Sequence, residues 1–146
     1  MRQKNIEIQT KDGAMNTFVT RPEEEGVYPI VLFLMDAPGK REELHDMARR
    51  IGTVGYYVIL PNLYYRTARE FVIGPDNREE MFGHMNALSN EMVCDDIQAM
   101  FDYASDDPAA SDGVAGCVGY CMSGPFAFAA ASRHSKRIKA SASFHG

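Results

Sequence analysis

Two short segments in which every side chain is apolar do most to restrict the fold. Residues 29–34 read Pro-Ile-Val-Leu-Phe-Leu, and residues 56–60 read Tyr-Tyr-Val-Ile-Leu. A strand without a polar face is typical of a parallel sheet that helices cover on both faces. Residues 41–54 repeat apolar side chains every three to four positions, and Gly55 ends this helix. The three segments together predict a strand–helix–strand unit with a right-handed crossover.

The rest of the chain continues this alternation of strands and helices. Around the turn at residues 11–13, two runs with alternating apolar and polar side chains predict an antiparallel hairpin at a sheet edge. Further along, the pattern predicts strands at residues 113–118 and 138–144, and helices at residues 78–104, as one broken helix or two, and 123–132. This order predicts a single α/β domain over residues 1–146 with a mostly parallel sheet.

The last predicted strand ends shortly before Gly146, and no helix follows that would cover it. A terminal strand of this kind presents an unpaired edge to solvent. From this pattern we expect a domain that is incomplete at its C-terminus. We also expect residues 1–146 alone to be inactive and prone to aggregation.

The composition argues against several classes of partner. The net charge is −5 and the basic residues are scattered, so neither nucleic acid nor an anionic membrane is an expected partner. The sequence contains no apolar stretch of membrane-spanning length and no recognisable secretory leader, and we expect a cytoplasmic protein. The three cysteines share no ligand spacing with a histidine, so no metal and no cofactor is expected. The oligomeric state is left open.

The strongest chemical signal follows the strand predicted at residues 113–118. Residues 119–124 read Gly-Tyr-Cys-Met-Ser-Gly and lead into a helix rich in alanine and phenylalanine. A nucleophile in a sharp strand-to-helix turn has a strained backbone, so the positions two residues away on either side must be small. The turn also aims the first free N–H groups of the helix at the reacting atom. We therefore predict Cys121 as a nucleophile and the backbone N–H of Met122 as an oxyanion donor.

Residues 119–124 allow other interpretations. Cys121 could be no more than a small, inert residue in a tight turn, since free cysteines are often buried hydrophobes. A nucleotide-binding loop requires Lys after its last glycine, whereas Pro125 follows Gly124. A dinucleotide-binding loop is excluded by the spacing of the glycines. The flanking strand and helix favour the nucleophile.

The turn at residues 119–124 closely resembles that of the dienelactone hydrolases (carboxymethylenebutenolidases), which belong to the α/β hydrolases and use cysteine in place of serine. The resemblance continues through residues 29–34, which an acidic residue follows closely, through residues 57–64, and through residues 141–146. It covers essentially the whole chain. It implies the three-layer α/β-hydrolase fold and a hydrolase that cleaves a small ester or lactone through an acyl-enzyme on Cys121.

The resemblance also implies roles for three further residues. Asp36 matches an acidic position, usually Glu, that holds the resting thiol; alternatively it is a turn or capping residue. The backbone N–H of Ala37 matches the second oxyanion donor. Arg78 matches an arginine that binds the substrate carboxylate, although an arginine beside two glutamates is also typical of a solvated helix surface. Phe82 and Met85 depart from the tyrosine and tryptophan of members that cleave dienelactone, which leaves the natural substrate open.

In this fold the catalytic acid and histidine follow the nucleophile along the chain. Only 25 residues follow Cys121, and neither His134 nor His145 matches the position of the catalytic base. The sequence therefore predicts the nucleophilic half of a hydrolase site. The alternative is a non-catalytic ligand-binding or thiol-sensing domain on the same fold, which needs no triad.

Overall fold

The computed structural model describes all residues from Met1 to Gly146. A single six-stranded sheet runs through it, and its strands are β1 (Arg2–Thr10), β2 (Gly13–Arg21), β3 (Ile30–Leu34), β4 (Tyr57–Pro61), β5 (Ala115–Tyr120) and β6 (Ile138–Phe144). The helices are α1 (Glu42–Thr53), α2 (Arg78–Asn86), α3 (Asn90–Ser105) and α4 (Gly124–Arg133), the last preceded by a 3₁₀ turn at Cys121–Ser123. None of the helices has the length and apolar content needed to cross a bilayer.

The order of strands across the sheet is β1-β2-β4-β3-β5-β6. The four neighbouring strands β4, β3, β5 and β6 pair in parallel. By contrast, β1 pairs antiparallel with β2, and β2 pairs antiparallel with β4. The predicted α/β fold, with its mostly parallel sheet and an N-terminal hairpin at one edge, is thus confirmed.

Helices cover the sheet from both faces. The ring of Phe18 in β2 stacks on His45 of α1, with ring centroids 4.2 Å apart, and Phe18 pairs with Leu60 in β4. Tyr57 lies three residues before Leu60 and therefore points to the opposite face, because successive side chains of a strand alternate. There its hydroxyl donates to Asp107, just beyond the end of α3. The α1 and α3 helices therefore lie on opposite faces of the sheet, which gives the three layers.

Burial follows the predicted pattern at the centre of the sheet. All five residues of β4 are buried, as are four of the five in β3. By contrast, β6 pairs with β5 alone and only Ile138 among its residues is buried. Phe144, at the end of β6, remains 48% exposed although its ring stacks on Tyr120.

One boundary differs from the sequence prediction in a way that affects the site, and one open alternative is decided. The strand predicted at residues 113–118 lies two residues later, at β5, so it runs directly into Cys121. Residues 111–113 instead form part of a connection in which Arg137 donates to the carbonyls of Ser111 and Gly113. The helical region at residues 78–104 is two helices, because Ser89 caps α3 by accepting from the N–H of Met92.

Candidate active site

The turn between β5 and α4 has the backbone of a strained elbow. Cys121 adopts a φ of 54°, in the left-handed region that side chains other than glycine rarely occupy. The close passage of the chain explains the small residue two positions earlier, since a Cβ atom on Gly119 would overlap the carbonyl oxygen of Ser123. The Cys121 side chain is exposed, and its sulfur forms no hydrogen bond within the protein. The geometry therefore presents a free thiol at the head of a helix.

Ser123 fastens this elbow to the neighbouring strand. It is fully buried, and its hydroxyl donates to the carbonyl of Met35, just beyond β3, at 2.5 Å. The register of the sheet prepares this contact, because Leu34 in β3 pairs with Gly119 in β5. Sequence reasoning treated Ser123 only as a small residue, since nothing local in the sequence identifies an acceptor 88 positions away.

The carboxylate of Asp36 is engaged by Arg41 instead of Cys121. Two guanidinium nitrogens of Arg41 donate to it at 2.6 and 3.0 Å, and the N–H of Gly39 donates to it at 3.3 Å. This hydrogen bond to Asp36 raises the pKa of the Arg41 guanidinium. No hydrogen bond joins Asp36 to Cys121, so the expected thiol-holding contact is absent from this structure. The geometry favours Asp36 as a turn residue over Asp36 as the residue that holds the thiol, because Arg41 lies within reach in the same loop.

The backbone of this loop leaves one N–H group free. The carbonyl of Asp36 accepts from the N–H of Gly39 at 3.1 Å. In a trans peptide the C=O and N–H groups point in opposite directions, so the N–H of Ala37 points away from that bond. It donates to no acceptor within the protein, although Ala37 itself is buried. An N–H group without a partner in a buried residue is rare, and it marks a group available to a ligand.

Tyr64 joins this loop to the elbow. It follows β4, and its hydroxyl donates to the carbonyl of Ala37 at 2.7 Å while lying 3.4 Å from the sulfur of Met122. Burial, followed by the nearby Asp36 and Cys121, raises the pKa of the Tyr64 phenol. Sequence reasoning included Tyr64 in the resemblance but gave it no role.

Arg78 lies apart from these groups. It is the first residue of α2, is exposed and forms no ion pair, and its guanidinium lies 5.5 Å from the centroid of the Phe82 ring. The helix approaches the site through His84, which stacks on Tyr64 at 5.2 Å and hydrogen-bonds Thr67 at 2.8 Å. No contact joins Arg78 to Cys121.

The four histidines form no hydrogen bond with the thiol of Cys121. His45 stacks on Phe18, and burial lowers its pKa. His134 contacts the carbonyl of Cys94 at 3.0 Å. His145 is exposed and follows β6 with a φ of 59°. None of them hydrogen-bonds Cys121, and no group of three or more His, Cys, Asp or Glu side chains converges as metal ligands would.

A cavity adjoins the loop that follows Asp36, and Cys121 is not part of its wall. Its volume is about 450 Å³, and its wall includes Gly39, Arg41, Tyr64 and Phe71 but neither Cys121 nor Arg78. Cys121 itself is exposed at the protein surface.

Comparison with known proteins identifies what this arrangement is similar to. The model of the Dienelactone hydrolase family matches residues 15–146. The carboxymethylenebutenolidase of Pseudomonas putida is 26% identical over 136 residues, which cover 91% of this chain and 57% of that protein. The chain spans about half the length of the curated relatives it matches.

Solved structures share the fold. The dienelactone hydrolase of Anabaena variabilis superimposes with a TM-score of 0.70 at 16% identity, over 97% of this chain and 62% of that one. A dienelactone hydrolase-like promiscuous phosphotriesterase from metagenomic libraries gives a TM-score of 0.75 at 18% identity, over 100% of this chain and 60% of that one.

Proposed function

Since the chain belongs to the dienelactone hydrolase family, we propose that the protein hydrolyses small esters or lactones with Cys121 as the nucleophile. The observation that carries this proposal is the left-handed backbone of Cys121, whose φ is 54°, on a sharp turn between a strand and a helix. Strain of this kind is maintained where it exposes a reacting side chain.

In the proposed reaction, the sulfur of Cys121 attacks the ester carbonyl carbon, forming a C–S bond and moving an electron pair onto the carbonyl oxygen. The N–H groups of Ala37 and Met122 stabilise this oxyanion. The C–O bond then breaks, and the leaving oxygen takes a proton. Water attacks the resulting thioester, releases the acid and restores the thiol. The unpaired N–H of Ala37 supports its role as a donor.

The proposed mechanism also requires a general base to accept the thiol proton. None of the four histidines hydrogen-bonds Cys121. We propose that a histidine from outside residues 1–146 fills this role. Asp36 contributes by shaping the loop that carries Ala37, through its bonds to Arg41 and Gly39.

The substrate proposed is a small molecule, in keeping with a net charge of −5 that disfavours nucleic acid. Arg78 is proposed to bind a carboxylate on it, which its exposed side chain and its lack of an ion pair support. The cytoplasmic location expected from the sequence stays a prediction.

The test is hydrolysis of p-nitrophenyl acetate by the native protein and by its Cys121→Ala variant. We expect the variant to lose on the order of 10⁴-fold or more in kcat, the scale seen when a covalent nucleophile is removed. Cys94→Ala is the matched control, because Cys94 is buried and burial raises the pKa of its thiol. Turnover by Cys121→Ala within a few-fold of the native rate would overturn the proposal.

A second candidate function is a thiol-sensing or ligand-binding domain, and one observation favours it. The sulfur of Cys121 is exposed and has no hydrogen-bonding partner that would act as a base. Rapid alkylation of Cys121 by iodoacetamide, together with no ester turnover by the native protein, would support this candidate over the hydrolase.

A further inference from the structure

We propose that Tyr64 is a positioning residue that holds the two oxyanion donors, the N–H groups of Ala37 and Met122, at a fixed separation. This inference rests on the proposed function and adds to it a residue from a third loop. The Tyr64 hydroxyl forms no hydrogen bond with the thiol of Cys121. It acts through the backbone of one donor residue and the side chain of the other.

The contacts of Tyr64 bring three separate segments to one oxygen atom. Its hydroxyl donates to the carbonyl of Ala37 at 2.7 Å, in the loop after β3. The same oxygen lies 3.4 Å from the sulfur of Met122, at the elbow after β5. The phenol itself belongs to the segment after β4, where the N–H of Tyr64 donates to the side chain of Asn62 at 3.0 Å. A single buried hydroxyl therefore spans both residues whose N–H groups face the oxyanion.

The contact with Ala37 completes a series of three held carbonyls. The carbonyl of Met35 accepts from Ser123, that of Asp36 from the N–H of Gly39, and that of Ala37 from Tyr64. The donor N–H belongs to the peptide between Asp36 and Ala37, so the peptides on both sides of it are also fixed. The peptide between Ala37 and Pro38 cannot be held through its nitrogen instead, because proline has no N–H. Removing the Tyr64 hydroxyl releases the last of the three.

The ring of Tyr64 is fixed as firmly as its hydroxyl. The residue is 1% exposed, its ring stacks on His84, and Phe71 meets it edge-on at 6.1 Å. Gly39 approaches closely on another side, where an added Cβ would lie 3.6 Å from the ring. A tyrosine phenol is protonated throughout the neutral range, and burial raises the pKa of Tyr64 further, so the group remains a donor. An oxyanion site gains most from donors that are in place before the reaction.

Loss of the Tyr64 hydroxyl should slow only reactions that form an oxyanion. Complete loss of one oxyanion donor lowers kcat by about 10²–10³-fold. Tyr64→Phe loosens a donor without deleting it, so we expect a decrease of about tenfold to a hundredfold in kcat, with KM changed less than about threefold. Alkylation of Cys121 by iodoacetamide displaces iodide at a saturated carbon and forms no oxyanion, so its rate should be unchanged.

The experiment compares Tyr64→Phe with Tyr65→Phe in the native protein. Tyr65 is the adjacent residue, is also buried, and donates to the buried carboxylate of Asp96 at 2.7 Å, without a contact to the elbow. Each variant removes one phenolic oxygen together with its hydrogen bonds, which for Tyr65 are those to Asp96 and Thr10, so Tyr65→Phe controls for a general loss of stability. Unfolding in urea verifies that both variants are folded. We expect the decrease in kcat for Tyr64→Phe alone.

Two results would overturn the inference. The first is a kcat for Tyr64→Phe within twofold of the native value, with Cys121→Ala inactive; this leaves the proposed function intact. The second is an equal decrease in ester turnover and in alkylation, which would mean that Tyr64 acts on the thiol or on folding. Full turnover by Cys121→Ala contradicts the proposed function itself and is therefore distinguishable from both.

Discussion

The elbow carries the proposed nucleophile, Cys121, and helix α2 carries the arginine proposed to bind the substrate. The two regions differ in how tightly they are packed against the rest of the protein. At the elbow, Ser123 is fully buried and Gly119 leaves no room for a Cβ atom. No residue of α2 is buried, and the helix contacts the core through the partly buried Met81, His84 and Met85. The groups that would carry out the reaction are thus fixed by packing, whereas Arg78 lies on a helix without a buried residue.

The largest effect is expected at Gly119 in the elbow. Gly119→Ala places a methyl group against the carbonyl of Ser123, so the elbow backbone must move. We expect a loss of about 3 kcal/mol in the free energy of unfolding, at the upper end of the range for overpacking, and loss of ester turnover. Urea unfolding and p-nitrophenyl acetate hydrolysis measure the two effects. A stable, fully active Gly119→Ala protein would contradict the account of the elbow.

Removing the hydroxyl of Ser123 should have the next largest effect. Ser123→Ala leaves the buried carbonyl of Met35 without its donor, which costs about 1–3 kcal/mol. The kcat for ester hydrolysis should fall as well, because the loop that carries Ala37 loses one of its anchors. Ser132→Ala in α4 is the control, since Ser132 is exposed. Equal unfolding midpoints in urea for the two variants would mean that this bond contributes nothing.

Substitution of Gly83, the glycine in α2, should have the opposite effect on stability from substitution of Gly119. A Cβ atom on Gly83 would meet nothing within 4 Å. Because alanine favours a helix interior over glycine, Gly83→Ala should stabilise the protein by up to about 1 kcal/mol, provided that α2 unfolds together with the core. Hydrogen exchange along α2 tests that condition. A destabilised Gly83→Ala protein would indicate a packing partner for this face of the helix.

The smallest effect on stability is expected at Arg78. Arg78→Met should change the free energy of unfolding by less than about 0.5 kcal/mol, because the side chain is exposed and forms no ion pair. If Arg78 binds a substrate carboxylate, KM for an ester that carries a carboxylate should rise about tenfold or more. KM for a neutral ester should not change. Equal effects on both substrates would remove Arg78 from the proposed binding site.

Much of the fold could be predicted because it depends on local patterns. The apolar run at β4 and the hairpin of β1 and β2 follow from the spacing of side chains along the chain. The strained turn at Cys121 could also be predicted, since the small residues around it are a direct steric requirement.

What could not be predicted depends on contacts between distant segments. Ser123 meets Met35 and Tyr64 meets Ala37 only once β3, β4 and β5 lie side by side. The ion pair of Asp36 is a local contact, because Arg41 lies only five residues further along the chain, so it could have been predicted from the sequence. The resemblance assigns the carboxylate of Asp36 to the thiol of Cys121, whereas the guanidinium of Arg41 competes for it.

The most direct test of the central claim is to map the acyl group during turnover. The native protein is mixed with p-nitrophenyl acetate, quenched with acid within milliseconds and digested, and the peptides are analysed by mass spectrometry. The account predicts one added acetyl group on the peptide that contains Cys121, and none on that peptide in Cys121→Ala. Hydrolysis of the ester with the acetyl group on any other residue would contradict it.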